Sequence, residues 1–423
     1  MTAPSARLDR EGIRELFDLR SATNAATGGS YSEDPYPIWH RLREQAPVHE
    51  GVMHELMGYD QPAFFMGLPE EGRPHFTVFT FAACEEVFRN EEVFKSWAGE
   101  FGPAGRQKAI QIEDTLLCMG GKEHRNYRAL VQPSFAPAKM RWWMENWTAT
   151  LVQQLIDNFI GDGRCDLNVD FCAAIPLLTI TGSFGIDESQ ALALRHAVKP
   201  DNPNGTAEFL AILQPVIDAR RAEPKDDLIS VLVQAEVADE DGVKHRLSDY
   251  EIQSFSFLLL VAGSGTTWKQ MGITLAALLT RPELLEEIRN DRSLLRGAIE
   301  ESVRWQPTDP MFARWARADY ELCGVKIPAG SVLHLGVASA SRDPLRWERP
   351  DEFDPRRPLI PGLGFGSGPH TCLGMHVARA EMNTAINALL DRLPNLRLDP
   401  DAEPPRFIGM YERGATEIPV IFG

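Results

Sequence analysis

Apolar positions recur at helical spacing along most of the chain. Four segments show this period of three to four residues, and they cover residues 36–44, 139–160, 294–305 and 378–393. The longest helical pattern covers residues 247–280, where a run of small and hydroxylated residues at 262–267 breaks it.

Alternation of apolar and polar residues, which is typical of strands, is confined to two segments. Residues 75–81 alternate like a single strand. Residues 319–335 also alternate, with turns at Gly324 and at residues 328–330, which indicates a small sheet. Residues 343–363 are rich in Pro, Arg and Asp, which predicts an ordered but irregular loop. The fold class that follows is mainly α-helical with a small β-sheet region.

No internal repeat, low-complexity tract or long linker divides the chain, and its Gly and Pro residues are spread throughout. The 423 residues are therefore predicted to form a single domain, in which residues 1–30 are an N-terminal arm. A chain of this length can bury a large core and still contain a ligand cavity.

The charge balance is acidic, with 43 Lys and Arg against 60 Asp and Glu and a formal net charge of −17. Nonspecific binding to nucleic acid or to an anionic membrane needs a basic surface, so neither is expected. Residues 1–24 contain no apolar stretch of the signal-peptide type, and the longest apolar run, residues 255–263, is too short to span a membrane. We therefore expect a cytoplasmic protein.

The cysteine spacing indicates neither a zinc site nor a set of disulfides. The chain has six: Cys84, Cys118, Cys165, Cys172, Cys323 and Cys372. No C-x-x-C pair occurs, so a zinc site is poorly supported, and the expected cytoplasmic location disfavours structural disulfides. The default for each cysteine is a buried, unreactive thiol, and only Cys372 departs from it.

Cys372 lies in the segment 365–374, which reads FGSGPHTCLG and precedes a helix that is predicted to begin near Gly374. A thiol at a helix N-terminus meets the positive end of the helix dipole and free N–H groups, and both favour the thiolate. The glycines let the backbone approach a flat cofactor closely. A Gly-rich turn with a buried cysteine is the plain alternative, which the full F-G-x-G-x-H-x-C-x-G spacing disfavours.

This spacing is similar to the haem-binding segment of the cytochrome P450 family, and the resemblance extends over nearly the whole chain. It implies the cytochrome P450 fold, with haem b (iron protoporphyrin IX) between the long central helix and the helix that follows the cysteine. Cys372 would then bind the iron, which makes it the metal ligand, and Phe365, Gly366 and His370 would contact the cofactor. A thiolate ligand pushes electron density onto iron and favours O–O cleavage.

Glu301 and Arg304 resemble the E-x-x-R pair of the same family. Residues three apart share one helix face, so the two side chains can form a salt bridge. On its own such a pair is common and usually lies on the solvated surface. The resemblance implies a structural pair that binds an arginine of the irregular loop, and Arg357 is the candidate.

Other residues resemble the family's contacts to the haem propionates. His124 and Arg128 are four residues apart and therefore lie on one face of a helix. Arg314 and His370 match two more propionate-binding positions. The alternative for His124 and Arg128 is an exposed basic helix.

The run Ala262-Gly263-Ser264-Gly265-Thr266-Thr267 resembles the family's pattern A/G-G-x-acid-T-T. Ala262 and Gly263 are small and leave room for a ligand beside the helix. Thr266 matches the threonine that helps to deliver protons, whereas Gly265 stands where the family has an acid. These four residues are the candidate catalytic residues, although small residues also allow plain close packing of helices, and the usual proton route lacks its acid here.

The family's pocket positions are mostly apolar in this chain, which suggests a hydrophobic small-molecule substrate. They are Val261, Ala262, Met311, Phe312, Met410 and Tyr411. The alternative is that these residues are ordinary core. The segment that forms the family's roof, residues 184–220, is short and contains Pro200, Pro203 and Gly205, which predicts a compact or mobile roof.

The resemblance implies a monooxygenase that inserts one oxygen atom from O2 into its substrate with electrons from NAD(P)H. No G-x-G-x-x-G segment follows a strand, so a separate ferredoxin or flavodoxin with its reductase is expected to deliver the electrons. Arg125, Arg128 and Arg379 could meet such an acidic partner. Two alternatives stay open: a peroxide-driven or non-oxygenating haem-thiolate enzyme, which Gly265 favours, and a non-catalytic haem-thiolate sensor.

Overall fold

The computed structural model describes residues 10–19, 31–59, 72–96, 115–199, 202–238 and 242–423. Most of the regular structure in these ranges is helical, as the periodicity predicts. The α-helices are Arg10–Leu16, Tyr36–Gln45, Met53–Leu56, Phe81–Arg89, Gly121–Val131, Pro137–Trp143, Ala149–Asp157, Ala174–Ser183, Ala191–Ala197, Gly205–Ala222, Leu228–Gln234, Asp249–Leu279, Pro282–Asn290, Ser293–Trp305, Val337–Ala340 and Met375–Arg392. Short 3-10 or π-helical turns are Gln132–Phe135, Met144–Thr148, Ile160–Asp162, Asn168–Cys172, Glu188–Gln190 and Gly368–His370.

The strands are short and form small sheets. They are β1 Val48–Glu50, β2 His75–Val78, β3 Phe94–Lys95, β4 Arg164–Asp166, β5 Glu236–Ala238, β6 Lys244–Arg246, β7 Phe312–Ala316, β8 Tyr320–Leu322, β9 Val325–Ile327, β10 Val332–Leu335, β11 Arg397–Leu398, β12 Phe407–Ile408, β13 Gly414–Ala415 and β14 Pro419–Ile421. The largest sheet has the order β1-β2-β10-β7-β3, in which only the β2–β10 pair is parallel. A second sheet has the order β11-β14-β4, and three two-stranded sheets are β12-β13, β5-β6 and β8-β9.

The helix Asp249–Leu279, the central helix, organises the core. Ser248 and Glu251 form a capping box at its N-terminus, in which the Ser248 hydroxyl accepts from the Glu251 N–H at 3.3 Å and Glu251 accepts from the Ser248 N–H at 2.7 Å. Its C-terminal turns, residues 267–279, are buried on every side, as expected of a helix segment in the core. It packs against the helices Ala174–Ser183 and Ser293–Trp305.

The predicted long helix 247–280 is confirmed, and it runs without a break through residues 262–267, where the apolar pattern is interrupted. The hydroxyls of this run donate to the preceding turn: Ser264 Oγ to the Leu260 carbonyl at 2.7 Å and Thr266 Oγ1 to the Ala262 carbonyl at 2.8 Å. Such bonds satisfy the hydroxyls locally and leave the backbone ladder in place.

The other predicted elements are confirmed with small shifts. The 139–160 pattern corresponds to two helices, Pro137–Trp143 and Ala149–Asp157, joined by a π-helical turn. The predicted strand 75–81 is shorter than expected because it ends at Val78, and a helix begins at Phe81. There Asp343 of the irregular loop accepts the Phe81 N–H at 2.9 Å and caps the new helix.

The described part of the N-terminal arm, residues 10–19, packs into the core. Ile13 and Phe17 are buried, and the Phe17 ring meets Trp268 of the central helix edge-on, with centroids 5.0 Å apart. Residues 1–9 and 20–30 of the predicted arm lie outside the described residues. Across the described ranges, the helix pair Asn168–Ser183 and Glu188–Ala197, bent by 119°, meets the length and composition of a membrane span, but no single helix does.

The cysteine expectation holds for part of the set. None of the six cysteines forms a disulfide, and Cys84, Cys165 and Cys172 are buried thiols as predicted. Cys323 is exposed, in a turn where its φ is 52°, so the buried default is wrong there. The turn joins β8 to β9, which places its central residues at the surface.

Candidate active site

The segment around Cys372 folds back on itself. The Cys372 N–H donates to the Phe365 carbonyl at 2.8 Å, and Gly366 and Gly368 have φ values of 71° and 73°. A Cβ on Gly368 would lie 2.8 Å from the Phe88 carbonyl oxygen, so only glycine fits this turn. The glycines therefore hold Cys372 at the end of a tight loop, three residues before the helix Met375–Arg392 begins.

The Cys372 side chain is exposed on one side, yet the protein encloses it closely enough to affect its ionisation. Burial raises the pKa of the Cys372 thiol, while the Gly374 N–H and the charges of Arg128 and Arg379 act in the opposite direction. The Gly374 N–H thus favours the thiolate as expected, whereas burial opposes it. A bound metal ion would favour the thiolate directly, since coordination displaces the thiol proton.

Glu301, Arg304 and Arg357 form a buried group, which we call the locked cluster. Arg304 binds Glu301 with two hydrogen bonds of 2.7 Å, and Arg357 Nε lies 3.2 Å from Glu301 Oε1. The Glu301 and Arg304 side chains are 3% and 5% exposed, which excludes the surface alternative. Arg304 also donates to the carbonyls of Ser341, Pro350 and Glu352. The predicted contact with Arg357 is present, and the locked cluster ties the irregular loop to the helix Ser293–Trp305.

His124 and His370 meet near Glu91. Their rings stack with centroids 4.0 Å apart, and His370 Nε2 lies 3.8 Å from Glu91 Oε1. Both ring nitrogens of His124 are buried without a hydrogen-bond partner. Burial lowers the pKa of His370 to about 2, and the neighbouring His124 and arginines contribute in the same direction. The His370 imidazole is therefore uncharged at neutral pH.

Two arginines border the same histidines. Arg314 is buried and donates to its neighbour's carbonyl, that of Ala313, at 2.7 Å, and burial lowers its pKa to about 10. Arg128 donates to the Thr371 carbonyl at 2.7 Å, next to Cys372. The sequence-predicted residues His124, Arg128, Arg314 and His370 are thus brought together, and unsatisfied imidazoles beside arginines suit an anionic group.

The central helix presents an open face in its middle. Ala262 is exposed and Gly263 and Thr266 are partly exposed, although the helix around them is buried. Exposed positions inside a buried helix mark the wall of an open space. Ala262, Gly263 and Thr266 therefore lie beside open space, whereas Gly265 is buried.

Four charged residues collect beside this open face, and we call them the open cluster: Arg195, Lys269, Asp309 and Glu412. Lys269 and Glu412 form a salt bridge, in which the Lys269 side chain is 5% exposed. Burial raises the pKa of Asp309 to about 7, with a further contribution from Glu412. Arg195 Nη1 donates to Ser264 Oγ at 3.3 Å.

Sequence reasoning missed the open cluster entirely. Its members come from four distant segments, so no local spacing links them. One signal was present, because Lys269 is a lone charge in the apolar half of the central helix, and a buried lysine requires a partner.

The expected apolar walls are partly wrong. Met311, Met410 and Tyr411 are each 1% exposed and pack in a core cluster with Trp39 and Phe79. They are core residues because the sheet strands β7 and β10 and the C-terminal segment close over them. Val261, Ala262 and Phe312 keep partial or full exposure and remain candidates for the wall.

A cleft of about 1020 Å³ lies on the outer side of the cysteine loop. Phe365, Met375 and Arg379 line it, together with the exposed Arg141 and Arg296. Arg379 binds Glu300 with hydrogen bonds of 2.6 and 2.9 Å, so its charge is largely matched. Of the three arginines predicted to meet a partner, only Arg125 is fully exposed.

Comparisons with known proteins agree with this geometry. A family model described as cytochrome P450 matches residues 208–411. The chain is 31% identical over 385 residues to cytochrome P450 monooxygenase PikC of Streptomyces venezuelae, covering 88% of this chain and 87% of that protein. It is 30% identical over 393 residues to the epothilone C/D epoxidase of Sorangium cellulosum, covering 87% and 88%. A crystal structure of P450BioI in complex with an acyl carrier protein ligated to hexadec-9Z-enoic acid matches with a TM-score of 0.77 and 26% identity, covering 92% of this chain and 99% of that one.

Proposed function

The chain belongs to the cytochrome P450 family and is a monooxygenase, and on that premise we propose its reaction in more detail. It inserts one oxygen atom from O2 into a small organic molecule, with electrons from NAD(P)H that a separate ferredoxin or flavodoxin and its reductase deliver. The observation that carries the proposal is Cys372, held by a glycine-framed loop with its side chain open on one side.

The family carries a haem-thiolate cofactor, and we propose haem b with Cys372 Sγ as the iron ligand. The unsatisfied nitrogens of buried His124 support this assignment, since a haem propionate would accept from them. Arg314, Arg128 and His370 would hold the propionates as further donors. Phe365 and Gly366 of the loop would lie under the macrocycle. The donor set therefore fits the cofactor.

The bound haem supplies the activation of O2, and this chain's residues supply the surroundings. Cys372, as the ligand, would push electron density towards the metal. Ala262 and Gly263 leave space beside the central helix. Thr266, whose hydroxyl donates to the Ala262 carbonyl, keeps its oxygen lone pairs available to orient a water molecule. Gly265 supplies no proton, so the proton comes from a more distant donor.

The cleft beside the cysteine loop is our candidate site for the electron donor. Exposed Arg141 and Arg296 line it, and Arg89 borders it beside Ser367 of the loop. Six arginines and four glutamates line the cleft, and this positive excess suits an acidic redox protein. A protein bound there would bring its cofactor near Cys372. We further propose that the substrate has an apolar body. The chain is proposed to form one domain and to work in the cytoplasm.

The ligand assignment is tested with the reduced, carbon monoxide-treated protein. The wild-type protein and the matched control Cys323→Ser, which changes an exposed thiol elsewhere, should both show the red-shifted Soret band of thiolate ligation. Cys372→His should lose this band while still folding, as judged by circular dichroism. A Cys372→His protein that keeps the band overturns the assignment.

A peroxide-driven reaction is the second candidate, because Gly265 leaves the usual proton route without its acid. The two are separated by product formation in two mixtures, one with NAD(P)H and a surrogate ferredoxin with reductase, the other with hydrogen peroxide alone. Turnover only in the first mixture supports the monooxygenase with an electron-transfer partner. Equal turnover with peroxide alone supports the second candidate.

A further inference from the structure

Arg195 of the helix Ala191–Ala197 is a half-buried cation whose guanidinium carbon lies 5.1 Å from the centroid of the Phe17 ring. Its guanidinium makes one hydrogen bond, from Nη1 to Ser264 Oγ at 3.3 Å, which is long for a charged donor. Its Nε is buried and has no partner. In the part of the chain that the structure describes, Arg195 forms no ion pair. A guanidinium has five donors, so most of the hydrogen-bonding capacity of Arg195 is unmet.

The acids of the open cluster do not neutralise Arg195. The negative charge of Glu412 stabilises the protonated form of Arg195, but the Glu412 carboxylate forms its salt bridge with Lys269. Asp309 is held partly protonated near neutral pH, because burial raises its pKa to about 7. At neutral pH two cations thus face the charged Glu412 and a partly ionised Asp309, which leaves a fraction of one positive charge without a match. A buried charge of this kind is unfavourable until an anion binds it.

Room for that anion lies beside Gly265. A Cβ added to Gly265 would meet Arg195 Nη2 at 3.8 Å and no other atom within 4 Å outside its own helix turn. A space wide enough for one methyl group therefore lies between Gly265, which is itself buried, and the guanidinium. Gly265 lies three residues from Ala262 and one from Thr266, so the space adjoins the open face of the helix.

We propose that Arg195 binds a carboxylate group of the substrate in the space beside Gly265, so that the enzyme selects apolar molecules that carry one carboxylate. This inference rests on the proposed function, because it places the substrate against the open face of the central helix. The planar guanidinium matches a carboxylate with two parallel hydrogen bonds, which neither a neutral ester nor an alcohol can form.

Binding is measured without turnover, from the spectral shift that a ligand causes when it displaces solvent from the haem pocket. The probes are matched pairs of an acid and its methyl ester: dodecanoic acid, 4-phenylbutanoic acid and 1-adamantaneacetic acid. We expect at least one acid to bind about tenfold or more tightly than its ester in the wild-type protein. Arg195→Gln should reduce the ratio of the two affinities to about one, mainly because the acid binds more weakly.

A second measurement does not depend on the shape of the ligand. Gly265→Asp places a carboxylate where the substrate's would lie, and Gly265→Asn is the control of equal size without the charge. We expect Gly265→Asp to melt at a higher temperature than Gly265→Asn in the haem-free protein. The difference should vanish when both are combined with Arg195→Gln. Gly265→Asp should also abolish the acid preference while Gly265→Asn weakens it less.

The outcomes separate this inference from the proposed function. The thiolate band with carbon monoxide reports on the proposed function, and it should survive in every variant at Arg195 and Gly265. If that band is present but no acid binds more tightly than its ester, or none binds at all, the inference is wrong and the proposed function stands. Equal melting temperatures for Gly265→Asp and Gly265→Asn also overturn it, because Arg195 then has no unmet charge at this place.

Discussion

The locked cluster and the open cluster are both buried groups of charged side chains, but they are completed differently. In the locked cluster, Glu301 accepts from Arg304, from Arg357 and from the Asp354 N–H, and Arg304 donates to three loop carbonyls besides. In the open cluster, Lys269 has its carboxylate, whereas Arg195 has one long bond to a hydroxyl and a contact with the Phe17 ring.

The difference teaches where to look for function. A buried charge whose every partner comes from the protein fixes one arrangement of the chain, so its removal affects stability first. A buried charge with unmet donors beside an open space gains its partner from outside the chain, so its removal affects binding first. The following predictions test this distinction by measuring the free energy of unfolding and the hydrogen peroxide released per NAD(P)H consumed.

Glu301→Ala should give the largest effect. Removing the carboxylate leaves the buried Arg304 and Arg357 without a counter-charge, which should lower the free energy of unfolding by about 3–5 kcal/mol. Glu287→Ala is the control, because Glu287 pairs with Arg356 on the surface, where both side chains are about half exposed. Such a pair contributes about 0–1 kcal/mol. Urea denaturation and haem content measure both, and equal losses would contradict the distinction.

Glu381→Gln tests a buried carboxyl with no cation at all. Glu381 is 2% exposed, and burial raises its pKa from the ordinary 4.5 to about 8, with Thr179 as its hydrogen-bond partner. The folded protein holds this proton more tightly than the unfolded chain. Its stabilising contribution is therefore complete below pH 4.5, declines as the pH rises, and is lost once the pH passes 8.

Glutamine does not titrate, so Glu381→Gln should lack this decline. Between pH 5 and 8 the wild-type protein should lose about 2–4 kcal/mol of unfolding free energy relative to the variant. Denaturation curves at pH 5, 6.5 and 8 measure it, with Glu283→Gln at an exposed helix position as the control. A pH-independent difference between Glu381→Gln and the wild type would show that Glu381 is ionised throughout.

Lys269→Met should cost less than Glu301→Ala, although Lys269 is as buried as Arg304. Arg195 is near enough to act on Glu412 and can serve as its new partner, so we expect a loss of about 1–2 kcal/mol. In the double variant Lys269→Met, Arg195→Gln the carboxylate has no cation, and the loss should exceed the sum of the single losses. Additive losses would show that Arg195 and Glu412 do not interact.

Thr266→Ala should give the smallest change in stability. It should also clearly lower the share of consumed NAD(P)H that ends in product. Its hydroxyl donates to the Ala262 carbonyl at 2.8 Å, and Thr280 makes the same bond to the Ala276 carbonyl at the end of the central helix. Both alanine variants should change the unfolding free energy by less than about 1 kcal/mol. Hydrogen peroxide released per NAD(P)H consumed should rise for Thr266→Ala and not for Thr280→Ala. Unchanged release in both would favour the peroxide-driven reaction.

Contiguous patterns in the sequence predicted most of the fold. The helical period located the central helix and the helix Met375–Arg392 within three residues at each end. The loop of Cys372 and the pairing of Glu301 with Arg304 followed from spacings of a few residues. These predictions succeeded because neighbours within a helical turn or a tight loop are fixed by backbone geometry alone.

The same reasoning failed where partners come from distant segments. Met311, Met410 and Tyr411 were expected in the pocket wall from their places in the sequence, whereas in the tertiary structure they pack in a core cluster with Trp39 and Phe79. The thiolate expectation for Cys372 counted the helix dipole but not the enclosure that raises the thiol pKa.

The sequence by itself determined the family, the helical architecture and the local motifs around Cys372, Glu301 and Thr266, since each is written in residues close together in the chain. Only the tertiary structure decided which charges are satisfied. The open cluster joins residues 195, 269, 309 and 412, and whether Arg195 finds a carboxylate depends on how four segments pack, not on any spacing between them. Burial turns that missing partner from a trivial surface charge into a binding site, because desolvation makes an unmatched charge costly.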